Sequence, residues 1–119
     1  MQINESVENY LECILMLSHK GEVHSVMIAK ELNVTKASVS HAVKLLRENG
    51  YITMDTENHL WLTPTGKSIA ENMYARHKIL SDFLVKIGVD EQTASEDACR
   101  MEHDVSEETF NAIKKYFKL

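Results

Sequence analysis

Ser25-Val-Met-Ile-Ala-Lys-Glu-Leu32, Asn33-Val34, then Thr35-Lys-Ala-Ser-Val-Ser-His-Ala-Val-Lys-Leu-Leu-Arg-Glu-Asn49 closed by Gly50 is the stretch that decides the fold. Ser25 and Thr35 are good N-caps, and Gly50 suits a left-handed helix stop. Two short helices joined by a tight turn make a helix-turn-helix. In the second helix Val39, Val43 and Leu46 recur at i, i+4 and i+7 and are expected in the core. That leaves Thr35, Lys36, Ala37 and Ser38 at its start, with Ser40, His41, Lys44 and Arg47 beyond, as the DNA-facing set. Small polar groups near a helix N-terminus suit base edges, and Lys and Arg further along suit phosphates. The bland alternative is a helical hairpin with a solvated basic face.

The flanking segments extend this pattern. Tyr51-Ile-Thr-Met54 and His59-Leu-Trp-Leu62 enclose the polar turn Asp55-Thr-Glu-Asn58, the signature of a β-hairpin, and a hairpin after a recognition helix makes a winged helix. Before it, a helix from about Asn4 to Ser18 places Val7, Leu11, Ile14 and Ser18 on one stripe, flanked by Tyr10 and Leu17. Its other face carries Glu5, Glu8, Asn9 and Glu12, which read as solvated unless something needs carboxylates. Thr63-Pro64 starts a long helix, with Thr63 as N-cap and Pro64 at the first position. Ile69, Met73, His77, Leu80, Leu84 and Ile87 share one of its faces until Gly88, so His77 alone reads as a core histidine. Asp90 caps the next helix and Ser106 the last, with Val105 and Phe110 as a hydrophobic staple. The expected class is mainly α. A winged helix-turn-helix with a small β-hairpin wing occupies 1–63, and an all-helical domain occupies 64–119.

Composition narrows the function. At 119 residues and 44% apolar content the chain has material for a modest core. With no long apolar run and no leader, it reads as cytoplasmic, with no membrane partner. Cys13 and Cys99 are expected as reduced thiols, Cys13 packed in the core. The net charge of -5 argues against a general nucleic-acid coat, yet residues 20–50 carry five Lys and Arg against three Glu. Positive charge is concentrated on the helix-turn-helix.

The second informative stretch is Cys99-Arg-Met-Glu-His103. On a helix, residues three and four apart share a face, so thiol, carboxylate and imidazole converge. Such a donor set suits a divalent transition ion rather than Mg or Ca. A solvated helix with incidental Cys, Glu and His is the competing interpretation. No HExxH, phosphate loop or nucleophile motif supports an enzyme, and no small-molecule substrate is expected.

Together the chain resembles the diphtheria toxin repressor family of metal-dependent transcription regulators, including its manganese-responsive MntR branch, in a short form without the SH3-like domain. The likeness rests on Tyr10-Leu-Glu12, Val34-Thr-Lys-Ala-Ser-Val-Ser40, Leu62-Thr-Pro-Thr-Gly66, Arg76-His77 and Asp97-Ala-Cys-Arg-Met-Glu-His103. It implies a homodimer, joined through its C-terminal domain, that binds a palindromic double-stranded DNA operator when Fe(II) or Mn(II) is bound, acting as a repressor in metal homeostasis. It also implies the ligands Asn9, Glu12, His77, Cys99, Glu102 and His103. Without metal, Glu12 and Glu102 would then repel each other. The chain departs from both branches. Asn9 stands where the iron branch has Met and the manganese branch Asp, and Cys99 stands where the manganese branch has Glu. Ser81 and Ser95 replace the carboxylate and imidazole of the iron branch's second site. Cys99 and the neutral Asn9 carbonyl place Fe(II) ahead of Mn(II), with Co, Ni and Zn able to bind in vitro. The alternative is a winged-helix regulator that senses thiol oxidation at Cys99.

Overall fold

The computed structural model describes residues 5–119, so Asn4 lies outside the described residues. The elements run α1 (Glu5–Ser18), α2 (Ser25–Leu32), α3 (Lys36–Glu48), β1 (Ile52–Met54), β2 (Leu60–Leu62), α4 (Pro64–Lys86), α5 (Glu91–Asp104) and α6 (Glu107–Phe117). They form two compact units, Met1–Glu71 and Asn72–Leu119, with α4 contributing to both.

The first unit is the expected winged helix-turn-helix. Val7, Leu11 and Ile14 of α1, Ile28 of α2, and Val39, Val43 and Leu46 of α3 form its core, with Ile52 and Leu60 from the wing. Asn33 makes the tight turn by entering the left-handed region at φ 54° and returning its N–H to Ala29 O, a conformation Asn tolerates better than most residues. Thr35 caps α3 by accepting from Ser38 N at 3.0 Å. Gly50 stops it at φ +77°. The two strands pair antiparallel with Thr53 opposite Trp61, and Asp55 orders the turn by accepting from the N–H of Glu57 and of His59.

Thr63 accepts from Gly66 N at 3.2 Å as α4 begins. Any Cβ at Gly66 would lie 2.0 Å from Tyr51 O, so only glycine allows the α4 start and the strand entry to approach this closely.

The second unit packs Leu80, Ala98 and Phe110 together, with Ile79, Met101, Val105 and Ile113 around them. Buried alanines at 94 and 98 let the α5 backbone come close to its neighbours. Asp90 and Ser106 cap α5 and α6 as expected, and Val105 and Phe110 share this cluster.

Three local expectations need correction. The N-cap position of α2 is His24, whose side chain makes no capping bond, and Ser25 is already helical. Ser18 is exposed rather than part of the apolar stripe, and its hydroxyl donates to Leu15 O. The apolar face of α4 ends at Leu84, because Ile87 lies beyond the last helical residue and is 55% exposed.

Candidate metal centre and DNA-facing helix

On α3 burial follows the heptad-like spacing. Val39, Val43 and Leu46 point inward, which leaves Thr35, Lys36, Ala37, Ser38, Ser40, His41, Lys44 and Arg47 exposed. The wing follows directly, with Trp61 55% exposed on its outer face and its indole N–H donating to Asp55 Oδ2 at 3.1 Å.

In the second unit, α4 contributes His77 while α5 contributes Cys99 and Glu102. One ligand atom from each lies within 4.8 Å of the others. His77 Nδ1 is 3.0 Å from Glu102 Oε2, and His77 Nε2 is 3.4 Å from Ser95 Oγ. Cys99 is exposed and forms the outer wall, while Glu102 is fully buried. His103, next along α5, brings Nε2 to 3.4 Å from Glu102 Oε1. Asn9 and Glu12 lie one turn apart on α1 in the first unit, both half-buried.

The electrostatics of this cluster suit a cation. His77 is pushed up to about 10, first by its hydrogen bond with Cys99 and then by that with Glu102, with burial acting in the opposite direction. At neutral pH it therefore carries a proton whose positive charge offsets the buried Glu102 carboxylate. Among the described residues Glu102 Oε1 is buried and makes no hydrogen bond, with only His103 Nε2 nearby at 3.4 Å, a costly arrangement for a carboxylate oxygen that a bound cation would relieve. Imidazole, thiol and carboxylate fit a borderline divalent transition ion, and loading one requires His77 to give up its proton.

Arg76 is a residue that spacing did not single out for a role. It is buried, donates through Nη2 to Val105 O at the C-cap of α5, and holds its guanidinium 5.0 Å over the Phe110 ring. It thereby ties α4, next to His77, to the C-cap of α5 and to α6. In the sequence it enters only through the Arg76-His77 motif of the family likeness, with no role attached.

An exposed basic helix with a wing in one unit and, in the other, an imidazole, thiol and carboxylate cluster built on the buried Glu102 define a metal-responsive DNA-binding regulator. Residues 2–60 match the iron-dependent repressor N-terminal DNA-binding domain, and residues 63–118 match the iron-dependent repressor metal-binding and dimerisation domain. The chain belongs to this family of metal-dependent transcriptional regulators, the family of the diphtheria toxin repressor and MntR.

An uncharacterised HTH-type transcriptional regulator of Methanocaldococcus jannaschii is 32% identical over 98% of this chain and 95% of its own length. The transcriptional regulator MntR of Salmonella typhimurium is 36% identical over 92% of this chain and 70% of its own. Among solved structures, the manganese regulator SloR superimposes with a TM-score of 0.83 at 27% identity, covering 99% of this chain. The chain spans 55% of SloR, about half of that longer protein.

These relatives are regulators, so the chain is a regulator and not an enzyme. Cys99 is exposed, as the thiol-switch alternative requires, but family membership favours the metal reading. No helix among the described residues is long and apolar enough to cross a membrane.

Proposed function

We propose that this chain represses metal-homeostasis genes in the cytoplasm by binding a near-palindromic operator as a homodimer when Fe(II), ahead of Mn(II), is bound. The observation that carries this reading is the buried, hydrogen-bond-deficient Glu102 Oε1 beside His77, Cys99 and His103. His77, Cys99, Glu102 and His103 are the proposed ligands in the regulatory half beginning at Pro64. Asn9 and Glu12 of α1 stand as further ligands on the strength of the family resemblance and their shared helical face. The ion supplies positive charge that replaces the His77 proton.

His77 must be neutral to ligate, so it releases its proton on loading. Lys36, Ser38, Ser40 and His41 govern base preference, with Lys44 and Arg47 on phosphates. Val85, Ile87 and Tyr116 expose apolar surface in the second unit, which supports self-association there. A symmetric dimer would meet half-sites about 34 Å apart, or a multiple of that. Metal and DNA then tighten each other by the same factor.

The test is selection of DNA ligands from a random pool under anaerobic Fe(II) or Mn(II), followed by titration of the winning sequence with each metal. Wild type is expected to respond to Fe(II) at the lower concentration, and Cys99→Glu to shift the response toward Mn(II). A wild-type response to Mn(II) well below the Fe(II) requirement overturns the iron assignment.

A further inference from the structure

A second ligand cluster lies in the first unit, far in sequence from the one just described. Val23 is buried just before the extended His24, and its carbonyl accepts from Leu60 N of β2 at 2.8 Å. Because alternate residues of extended backbone face opposite sides, burying Val23 and Leu60 in the core turns Glu22, His24 and His59 to the other face. There His59 Nε2 is 3.1 Å from Glu22 Oε2, and the His24 ring meets the His59 ring edge-on at 4.4 Å between centroids. One ligand atom from each of Glu22, His24 and His59 falls within 4.8 Å of the others.

We propose that Glu22, His24 and His59 form a second site for a borderline divalent transition ion of the Zn(II), Co(II) or Ni(II) kind, separate from the site on α5. Two imidazoles and one carboxylate, without a thiol, are a donor set for such an ion. Ligands bound at about 2.1 Å in a tetrahedron stand about 3.4 Å apart, so the observed separations need only small side-chain adjustments to close on an ion.

The arrangement around His59 supports this role. Its other ring nitrogen, Nδ1, lies 3.3 Å from Asp55 Oδ2, the carboxylate partner that commonly orients a metal-bound histidine and fixes its tautomer. Asp55 is itself held in place by accepting from the Trp61 indole N–H at 3.1 Å and from the backbone N–H of His59 at 3.0 Å. His59 is 9% exposed and Glu22 is largely exposed, so the site has a fixed inner wall and an open outer position.

An ion here would tie the segment entering α2 to the base of the wing. Bridging these segments stiffens the wing against the helix-turn-helix and so influences how the wing meets DNA.

The chain has one tryptophan, and Trp61 is bonded to the Asp55 that backs His59, so its fluorescence reports on this site. The full chain is titrated with Zn(II), and bound ion is counted by equilibrium dialysis. Wild type and Glu102→Gln should both change Trp61 emission on Zn(II) addition. His24→Ala and Glu22→Gln should require at least about tenfold more Zn(II) and bind one ion fewer than wild type. Both substituted residues are outside the core, and the His24 side chain makes no capping bond, so the variants keep the fold. His24→Ala with the stoichiometry and emission curve of wild type overturns the site and leaves a Glu22–His59 ion pair in its place. A Trp61 response lost in Glu102→Gln but kept in His24→Ala also overturns it, by assigning the signal to the α5 site. Neither result bears on whether the α5 cluster controls DNA binding.

Discussion

The helices α3 and α5 are nearly the same length, 13 and 14 residues, and distribute their functional groups in opposite ways. α3 hides Val39, Val43 and Leu46 and leaves every polar group of its proposed DNA face in solvent. α5 buries Ala94, Ala98 and the carboxylate of Glu102, and leaves much of its remaining polar surface exposed. The difference follows from what each helix has to meet. A duplex is a long polyanion approached from outside, so its contacts must be accessible, numerous and individually modest. An ion is met by a few donors that must converge, so one donor is buried and its loss leaves others without a partner. Changes on α5 are therefore expected to act as all or none, and changes on α3 by degrees.

The largest effect is expected at Glu102. Replacing it with Ala removes the buried carboxylate and leaves His77 and His103 without their shared partner, so metal-stimulated DNA binding should fall at least about a hundredfold. Operator binding against metal concentration checks this, with circular dichroism confirming the fold. An unchanged metal response would break the contrast between the helices and sink the site assignment.

Arg76→Ala tests what holds that site in shape. It removes the charged donor to Val105 O and the contact with Phe110, and should lower stability by about 2–3 kcal/mol. Chemical denaturation measures this loss. Metal affinity should fall too, since α4 is then free to rotate. A stability loss with wild-type metal affinity would show that Arg76 supports the core without positioning His77.

The two units also differ in how far the sequence exposed them. The helix-turn-helix was legible because its signals are local: Thr35, Gly50 and the apolar spacing of α3 lie within a few residues of one another, and each agrees with the next. The Cys99-Glu102-His103 spacing was legible for the same reason. His77 was not, because on its own helix it falls on the apolar face, and only the family likeness moved it to the ligand set. Arg76 and the Glu22, His24 and His59 cluster were hidden for a further reason. Each depends on a pairing between distant segments, Arg76 with Val105 and Val23 with Leu60, that periodicity cannot express. The misplaced α2 cap is a smaller case: Ser25 is a favourable cap residue, yet the extended His24 occupies that position.

On α3 a graded effect is expected. Lys44→Ala removes one exposed positive charge facing the proposed phosphate track and should weaken binding to all sequences alike. The slope of log affinity against log salt should flatten by about 1. Affinities for the selected operator and for a scrambled duplex, each across a salt series, provide the check. A lost preference between the two duplexes at unchanged overall affinity would move Lys44 from phosphate to base reading.

The smallest effect concerns the two cysteines, which repeat the contrast between the units in reverse. Cys99 is exposed in the second unit, whereas Cys13 is buried in the first and pushed from its usual 9.0 up to about 11, chiefly by burial and then by the charges of Glu31 and Glu12. A thiol with a raised pKa keeps its proton in the folded state after the unfolded chain has released it. The folded state thus binds more protons between pH 9 and about 11, and stability should fall as pH rises through that window, with no contribution below it. Other groups titrate there as well, so the measurement is the change in urea midpoint from pH 7.5 to 10.5 in wild type and in Cys13→Ala. The variant should lose less stability than wild type over that rise, even though the missing sulfur lowers both of its midpoints. Alkylation at pH 8 should label Cys99 and spare Cys13 until the chain is unfolded. Equal alkaline losses in the two proteins would mean that the Cys13 proton is no more tightly held in the folded core than outside it.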